Sequence, residues 1–296
     1  MKKIILLVVI VTIVALFFVS EKKEIKYGYV SNITIKLKDN NTILNIPLED
    51  YIVGVVAGEV PATFDIEALK VQAIIARTYV LKRYNKSNNY DVENSVLNQV
   101  YISNSQMKEK WKEKYDVYYK KIVSAVNDTR GLVILYDNKL IDALYFSISS
   151  GKTENSEDVF KSNISYLKSV DSSWDKNLNK IQDTKKVSID KIKETFNINE
   201  ETIKLDIVER TSIGSCKVIK INNIEYNCMD FRLKLGLKST NFTIETNQDL
   251  YIFNTLGYGH GVGLSQYGAN ELAKLGYSYS KIINHYYKNV NIKKIN

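Results

Sequence analysis

Two cysteines, two histidines and two prolines in 296 residues leave little material for several kinds of chemistry. A zinc site needs clustered Cys and His ligands. Cys216, Cys228, His260 and His285 lie too far apart in the chain to suggest one, and no HExxH is present. No metal or other cofactor is therefore expected. A serine hydrolase with a nucleophile elbow would show GxSxG, which is missing. Neither cysteine carries the nearby histidine cue of a thiol enzyme. No GxGxxG follows a strand, so a dinucleotide site is not expected. The net charge is +8, but no Lys/Arg run interleaves with aromatics, so nucleic acid is not expected as a partner. An anionic lipid surface or cell wall suits such a balance better. Internal repeats and Pro/Gly linkers are also absent. One continuous domain, long enough to bury a core, is the simplest account.

What is present begins at the N-terminus. Lys2 and Lys3 precede an uncharged run, Ile4 to Ser20. As a helix it spans roughly 25 Å, enough for a short membrane span with its N-terminus cytoplasmic. Phe17-Phe18-Val19-Ser20 offers a poor signal-peptidase site, which favours an uncleaved single-pass anchor. Residues 1–20 are thus read as anchor and tail, and everything after them as extracytoplasmic. Residues 21–45 form a spacer and a hairpin around Asp39-Asn40-Asn41, and residues 46–290 the main domain. The expected fold class is α+β: an irregular antiparallel or mixed sheet with one long helix at the active-site cleft.

That helix lies in AGEVPATFDIEALKVQAIIARTYVLKRY, Ala57 to Tyr84. Pro61 is expected to hold Glu59 in a loop. Asp65 caps the helix, with Glu67 in its first turn. Ile66, Leu69, Ala73, Ala76 and Val80 recur with helical periodicity. Lys70 and Arg77, seven apart, share one face. Further on, a helix is expected over Gln106–Thr129, ending at Gly131. Two strands, 131–135 and 140–147, join at Asp137-Asn138. Shorter helices are read at Ser188–Phe196 and Cys228–Leu237. Cys216 and Cys228 flank a hairpin centred on Asn222-Asn223. They are either two small buried residues, the plainer reading, or a disulfide. The segment Gly257–Gly263 alternates glycines around His260, and a last helix starts at Ser265.

With thiol, metal and serine chemistry set aside, acid–base work by a carboxylate remains. Glu59 is the best candidate, because the apolar approach Val53–Ala57 would raise its pKa by desolvation. The bland alternative is a solvated loop carboxylate. Hydrolysis of a sugar bond normally uses two carboxylates. Asp65 and Glu67 are the nearest in sequence, but both sit at capping positions, so a single-carboxylate mechanism stands beside the two-carboxylate one.

Three stretches together resemble the SpoIID/LytB family: Gly58–Val80, Ser147–Asp175 and Gly257–Tyr287. They occur in the family's order, and Phe231–Ile244 is similar as well. The resemblance implies a lytic transglycosylase. Such an enzyme cuts the MurNAc–GlcNAc bond of stem-peptide-free glycan strands during engulfment. It works beside a partner amidase and a polytopic membrane protein. The family's catalytic glutamate falls on Glu59, and its helix cations fall on Lys70 and Arg77. Cleft tyrosines fall on Tyr166 and on Tyr286 or Tyr287. Ser149, Ser150, Gly151, His260 and Gln266 fall on patterned positions read as cleft-lining. Where some members carry a Cys/His zinc site, Asp91–Tyr101 has neither residue type. LytB-type members are named as amidase enhancers, so a non-catalytic wall-binding activator is the alternative.

Overall fold

In the computed structural model, which describes residues 33–85 and 89–295, the chain opens on a hairpin. The expected anchor, most of the spacer and part of the polar loop after Tyr84 lie outside the described residues. Strands β1 (Thr34–Asp39) and β2 (Thr42–Pro47) pair antiparallel, with Asn40 at φ 52° in the turn. Helix α1 (Leu48–Glu59) follows, then α2 (Ile66–Arg83). Asp65 caps α2 as expected, its carboxylate accepting the Glu67 N–H at 2.9 Å. Strand β3 (Val92–Glu93) adds parallel to β1.

The helix expected over Gln106–Thr129 is two helices, α3 (Asn104–Trp111) and α4 (Tyr115–Asp128). They are broken at Lys112, whose φ of 49° cannot continue a right-handed helix. Strand β4 (Leu132–Tyr136) turns through Asp137 and Asn138 into β5 (Lys139–Leu140), and β6 (Tyr145–Phe146) follows separately. After the short helix α5 (Ser156–Phe160) comes a second group: β7 (Gln182–Ser188), α6 (Ile189–Phe196), β8 (Leu205–Arg210), β9 (Cys216–Ile221), β10 (Ile224–Asn227), α7 (Cys228–Leu235), β11 (Phe242–Asn247) and β12 (Leu250–Leu256). The chain then returns through β13 (Leu264–Ser265), which pairs parallel with β6, to α8 (Gln266–Lys274), α9 (Tyr279–Tyr286) and β14 (Asn291–Lys294), which pairs with β4.

The described residues thus form a mixed α+β fold of small sheets. The apolar interior has two clusters. One is built around α2 and takes in β1, α1, α4, β4, α8 and α9. The other gathers Phe196, Phe231, Phe242 and Phe253 from the β7–β12 group. Cys216 and Cys228 are joined by a disulfide between the start of β9 and the start of α7.

Helix α2 departs from the surface helix that its two cations suggest. Every residue from Val71 to Leu81 is buried, Arg77 included. A helix covered on all sides is a core helix. Its polar residues must then find partners inside the protein.

Candidate active site

Glu59 is the last residue of α1, not a loop residue. The proline restriction falls on Val60, the residue that immediately precedes Pro61. Val60 is extended at φ −130°, ψ 152° and stops the helix one position after Glu59. The carboxyl therefore projects from a rigid helix end.

Oε1 of Glu59 accepts the Val100 backbone N–H at 2.7 Å and the Tyr145 hydroxyl at 2.8 Å. The Gln266 amide also bonds the carboxyl. Burial raises the pKa of Glu59, and these three donors only partly offset it. Two of the three donors, the Val100 N–H and the Tyr145 hydroxyl, meet on the same oxygen, Oε1. Among the described residues, no second carboxylate bonds to this shell. Asp65 is taken up by the α2 cap, and Glu67 accepts from Lys70 and from the Tyr279 N–H.

Each donor is held in turn. Tyr145 lies on β6, partly buried, and is also bonded by Gln99. Gln99 is itself held by Tyr51 at 2.9 Å and by the Ala76 carbonyl. Val100 reaches Glu59 because α1 carries no side chain where the loop crosses it. A Cβ on Gly58 would stand 2.3 Å from the Val100 carbonyl oxygen, and one on Gly54 2.1 Å from the Tyr101 ring. These two glycines, one turn apart, make a seat for residues 99–102. The loop is braced at its start by Asp91, whose carboxylate accepts the N–H groups of Lys36 and Asn85. Asn94 accepts the Tyr101 N–H and closes it. Gln266 begins α8, and its amide donates to Gln72 of α2 at 3.3 Å. Ser265 caps α8 and donates to Asp175 at 2.7 Å, which ties Gln266 to a buried carboxylate behind it.

Of the residues expected around Glu59, only Gln266 bonds it. Arg77 is wholly enclosed and forms a two-pronged pair with Glu49, at 2.6 and 3.0 Å, and donates to the Leu132 carbonyl at 3.2 Å. Lys70 pairs with Glu67 and with Asp128 of α4. The two cations do share a face, but it looks onto α4 and β4. Gln72, which reaches the Glu59 network, lies about 200° around the helix from Lys70. Neither cation bonds Glu59 in this structure. Tyr166 is nearly enclosed and spends its hydroxyl on Asp142. Tyr286 is enclosed, bonded to Ser172 and Trp174, and Tyr287 donates to the Leu144 carbonyl. Both tyrosines support the scaffold.

Ser149, Ser150 and His260 line a small cavity of about 20 Å³ that Glu59 does not line, with Phe146 and Asn241 among its walls. Gly151, at φ 116°, turns the chain beside it and donates to Ser149. His260 packs its ring between Phe146 and Phe160. Its Nδ1 accepts the Val262 N–H at 3.1 Å, and the ring bonds the Tyr145 backbone. Burial and the nearby Arg232 guanidinium lower its pKa to about 4, so the imidazole is neutral. His260 thus stands behind Tyr145 and not in front of Glu59. The sequence reading did not find Tyr145, Gln99, Gln72 or the Val100 N–H. The one signal for the loop was the pair Gly54 and Gly58, four apart in an apolar run, which marks a close approach on a helix.

Residues 37–136 match the family model described as SpoIID, stage II sporulation protein. The chain is 40% identical over 265 residues to stage II sporulation protein D of Bacillus amyloliquefaciens, covering 86% of this chain and 76% of that protein. It is 38% identical to the protein of the same name from Bacillus subtilis, covering 86% and 77%. An amidase enhancer of Bacillus subtilis is 30% identical over 290 residues, covering 79% of this chain and 39% of that protein.

Proposed function

The chain belongs to the SpoIID family of stage II sporulation proteins, and from that premise we propose that it is a membrane-anchored lytic transglycosylase of peptidoglycan. The observation that carries the reading is the solitary, partly buried carboxyl of Glu59, with a raised pKa and fixed donors on one oxygen.

The protonated Glu59 gives its proton to the glycosidic oxygen as the C1–O bond breaks with oxocarbenium character. The departing sugar leaves with that proton as its new hydroxyl. The carboxylate then takes the proton of the C6 hydroxyl on the same MurNAc residue while O6 bonds C1. A 1,6-anhydro ring closes, Glu59 is again protonated, and no water is consumed. Hydrolysis would need a second carboxylate to activate water, and none bonds to this shell among the described residues. Tyr145 and Val100 keep the carboxyl oriented and stabilise it when it is ionised.

The substrate in this reading is the stem-peptide-free glycan strand, cut during engulfment beside a sporulation amidase and a polytopic membrane protein. The single-pass anchor at residues 4–20 and the extracytoplasmic location belong to the same proposal. The relative named an amidase enhancer favours a second reading, a non-catalytic wall-binding activator of an amidase. Glu59→Gln separates the two. Its Oε1 still accepts from Tyr145 and Val100, so the variant keeps glycan binding and yields no anhydro-ended fragments by mass spectrometry. Wild-type protein that yields none from stem-free strands would sink the enzyme reading.

A further inference from the structure

With Lys70 and Arg77 committed elsewhere, the cations that bond the backbone on either side of Glu59 come from α3 and α4. Lys110 Nζ donates to the Ala57 carbonyl at 3.1 Å, two residues before Glu59. Lys121 Nζ donates to the Phe64 carbonyl, five residues after it. The two ammonium groups therefore bracket the segment that carries the acid. The Phe64 ring meets Tyr267 edge-on at 5.0 Å, and Tyr267 follows Gln266, which bonds Glu59. Neither lysine forms an ion pair among the described residues. Partial burial lowers the pKa of both, and only Asp65, already spent on its cap, acts on Lys121 in the other direction.

A partly desolvated ammonium without a counter-ion is improved by an anion. Each lysine uses one donor on a backbone carbonyl and has two left. The chemistry next to them is aromatic. Trp111 and Tyr118 meet edge-on at 5.8 Å, and both are partly buried, keeping some exposed ring surface. Tyr118 lies one turn from Lys121 on α4, and Trp111 is adjacent to Lys110. Aromatic faces suit the apolar faces of a pyranose, and ammonium groups suit a carboxylate.

We propose that Lys110 and Lys121 form a carboxylate-binding subsite beside Glu59 that takes the lactyl carboxylates of a muramic-acid glycan, with Trp111 and Tyr118 taking the sugar faces. This rests on the glycan-cleaving reading above and names the feature of the glycan that is recognised. The subsite would select muramic-acid glycans over chitin-like ones, which share the backbone and lack the carboxylate.

The test measures binding by the full chain carrying Glu59→Gln, so that no bond is cut. Stem-free glycan strands and chito-oligosaccharides of equal length are the two ligands. At low salt the carboxylate-bearing strand binds about tenfold more tightly, a preference that fades as salt screens it. Adding Lys110→Gln and Lys121→Gln removes the preference and leaves chito-oligosaccharide binding unchanged. Arginine at both positions restores it. Where Lys110→Gln loosens the end of α1, Lys121→Gln alone reduces the preference roughly threefold. A preference that survives the double substitution overturns the subsite. Equal binding of the two ligands before any lysine is changed overturns it too, and leaves the glycan reading standing. Binding of neither ligand overturns the glycan reading itself.

Discussion

Tyr145 shows what a single hydrogen bond does at the acid. Its hydroxyl donates to the same Glu59 oxygen as the Val100 N–H and opposes the pKa rise that burial causes. Tyr145→Phe removes that donor, so the Glu59 pKa climbs further. The basic limb of the pH–rate profile should move to higher pH, and the maximal rate should fall about tenfold, because the ionised intermediate state loses a donor. A profile that stays put would show that Tyr145 does not govern the proton. Arg77 illustrates the opposite outcome at the same scale. Its fork on Glu49, with no exposure, marks a buried pair whose rupture strands a charge. Arg77→Ala should cost about 3–5 kcal/mol in chemical denaturation. The protein that remains folded should bind glycan as before, which a carboxylate-holding arginine would not allow.

Among the elements, α1 is the one whose surface is cut to fit a neighbour. Gly54 and Gly58 leave room for residues 99–102, and the Val100 N–H reaches Glu59 through that room. Gly58→Ala puts a methyl where the Val100 carbonyl stands. The helix tolerates alanine well, so the cost comes from displacing the loop, about 1–3 kcal/mol. The thermal midpoint and the rate should both fall, the rate more than stability alone explains. Helix α2 carries a related lesson. Its apolar periodicity and its cap were readable along the chain, while the surroundings of its cations were not. Periodicity tells which residues share a face, and only the packed neighbours tell whether that face meets water, substrate or another helix.

At the scale of the molecule, buried titratable groups make stability depend on pH in two opposing ways. Glu59, Glu154 and Asp175 all have pKa values raised mainly by burial. Their contribution is fully present below the ordinary carboxylate range and is lost as pH rises through the raised values. His260 runs the other way. Its pKa is lowered to about 4 from 6.5, so its contribution is present above 6.5 and is lost as pH falls toward about 4. Between those limits His260→Gln should flatten the acid-side decline in the urea midpoint relative to wild type, and Glu154→Gln should flatten the decline toward neutral pH. An unchanged midpoint-versus-pH curve in both variants would refute this assignment.

Local chemistry along the chain was enough for the α+β class, the Asp65 cap and the Asn40 and Asn222 hairpins. Each rests on backbone preference or on residue type within a few positions. Long-range packing decided the rest. It set Glu59 at a helix end, because the restriction before Pro61 acts on one residue only. It turned Arg77 inward to Glu49, 28 residues away, and brought Tyr145 and Gln266 to the acid from 86 and 207 positions on. It also put His260 behind the tyrosine that the acid leans on. No periodicity encodes such meetings, since they depend on which faces the crossing elements bury against one another.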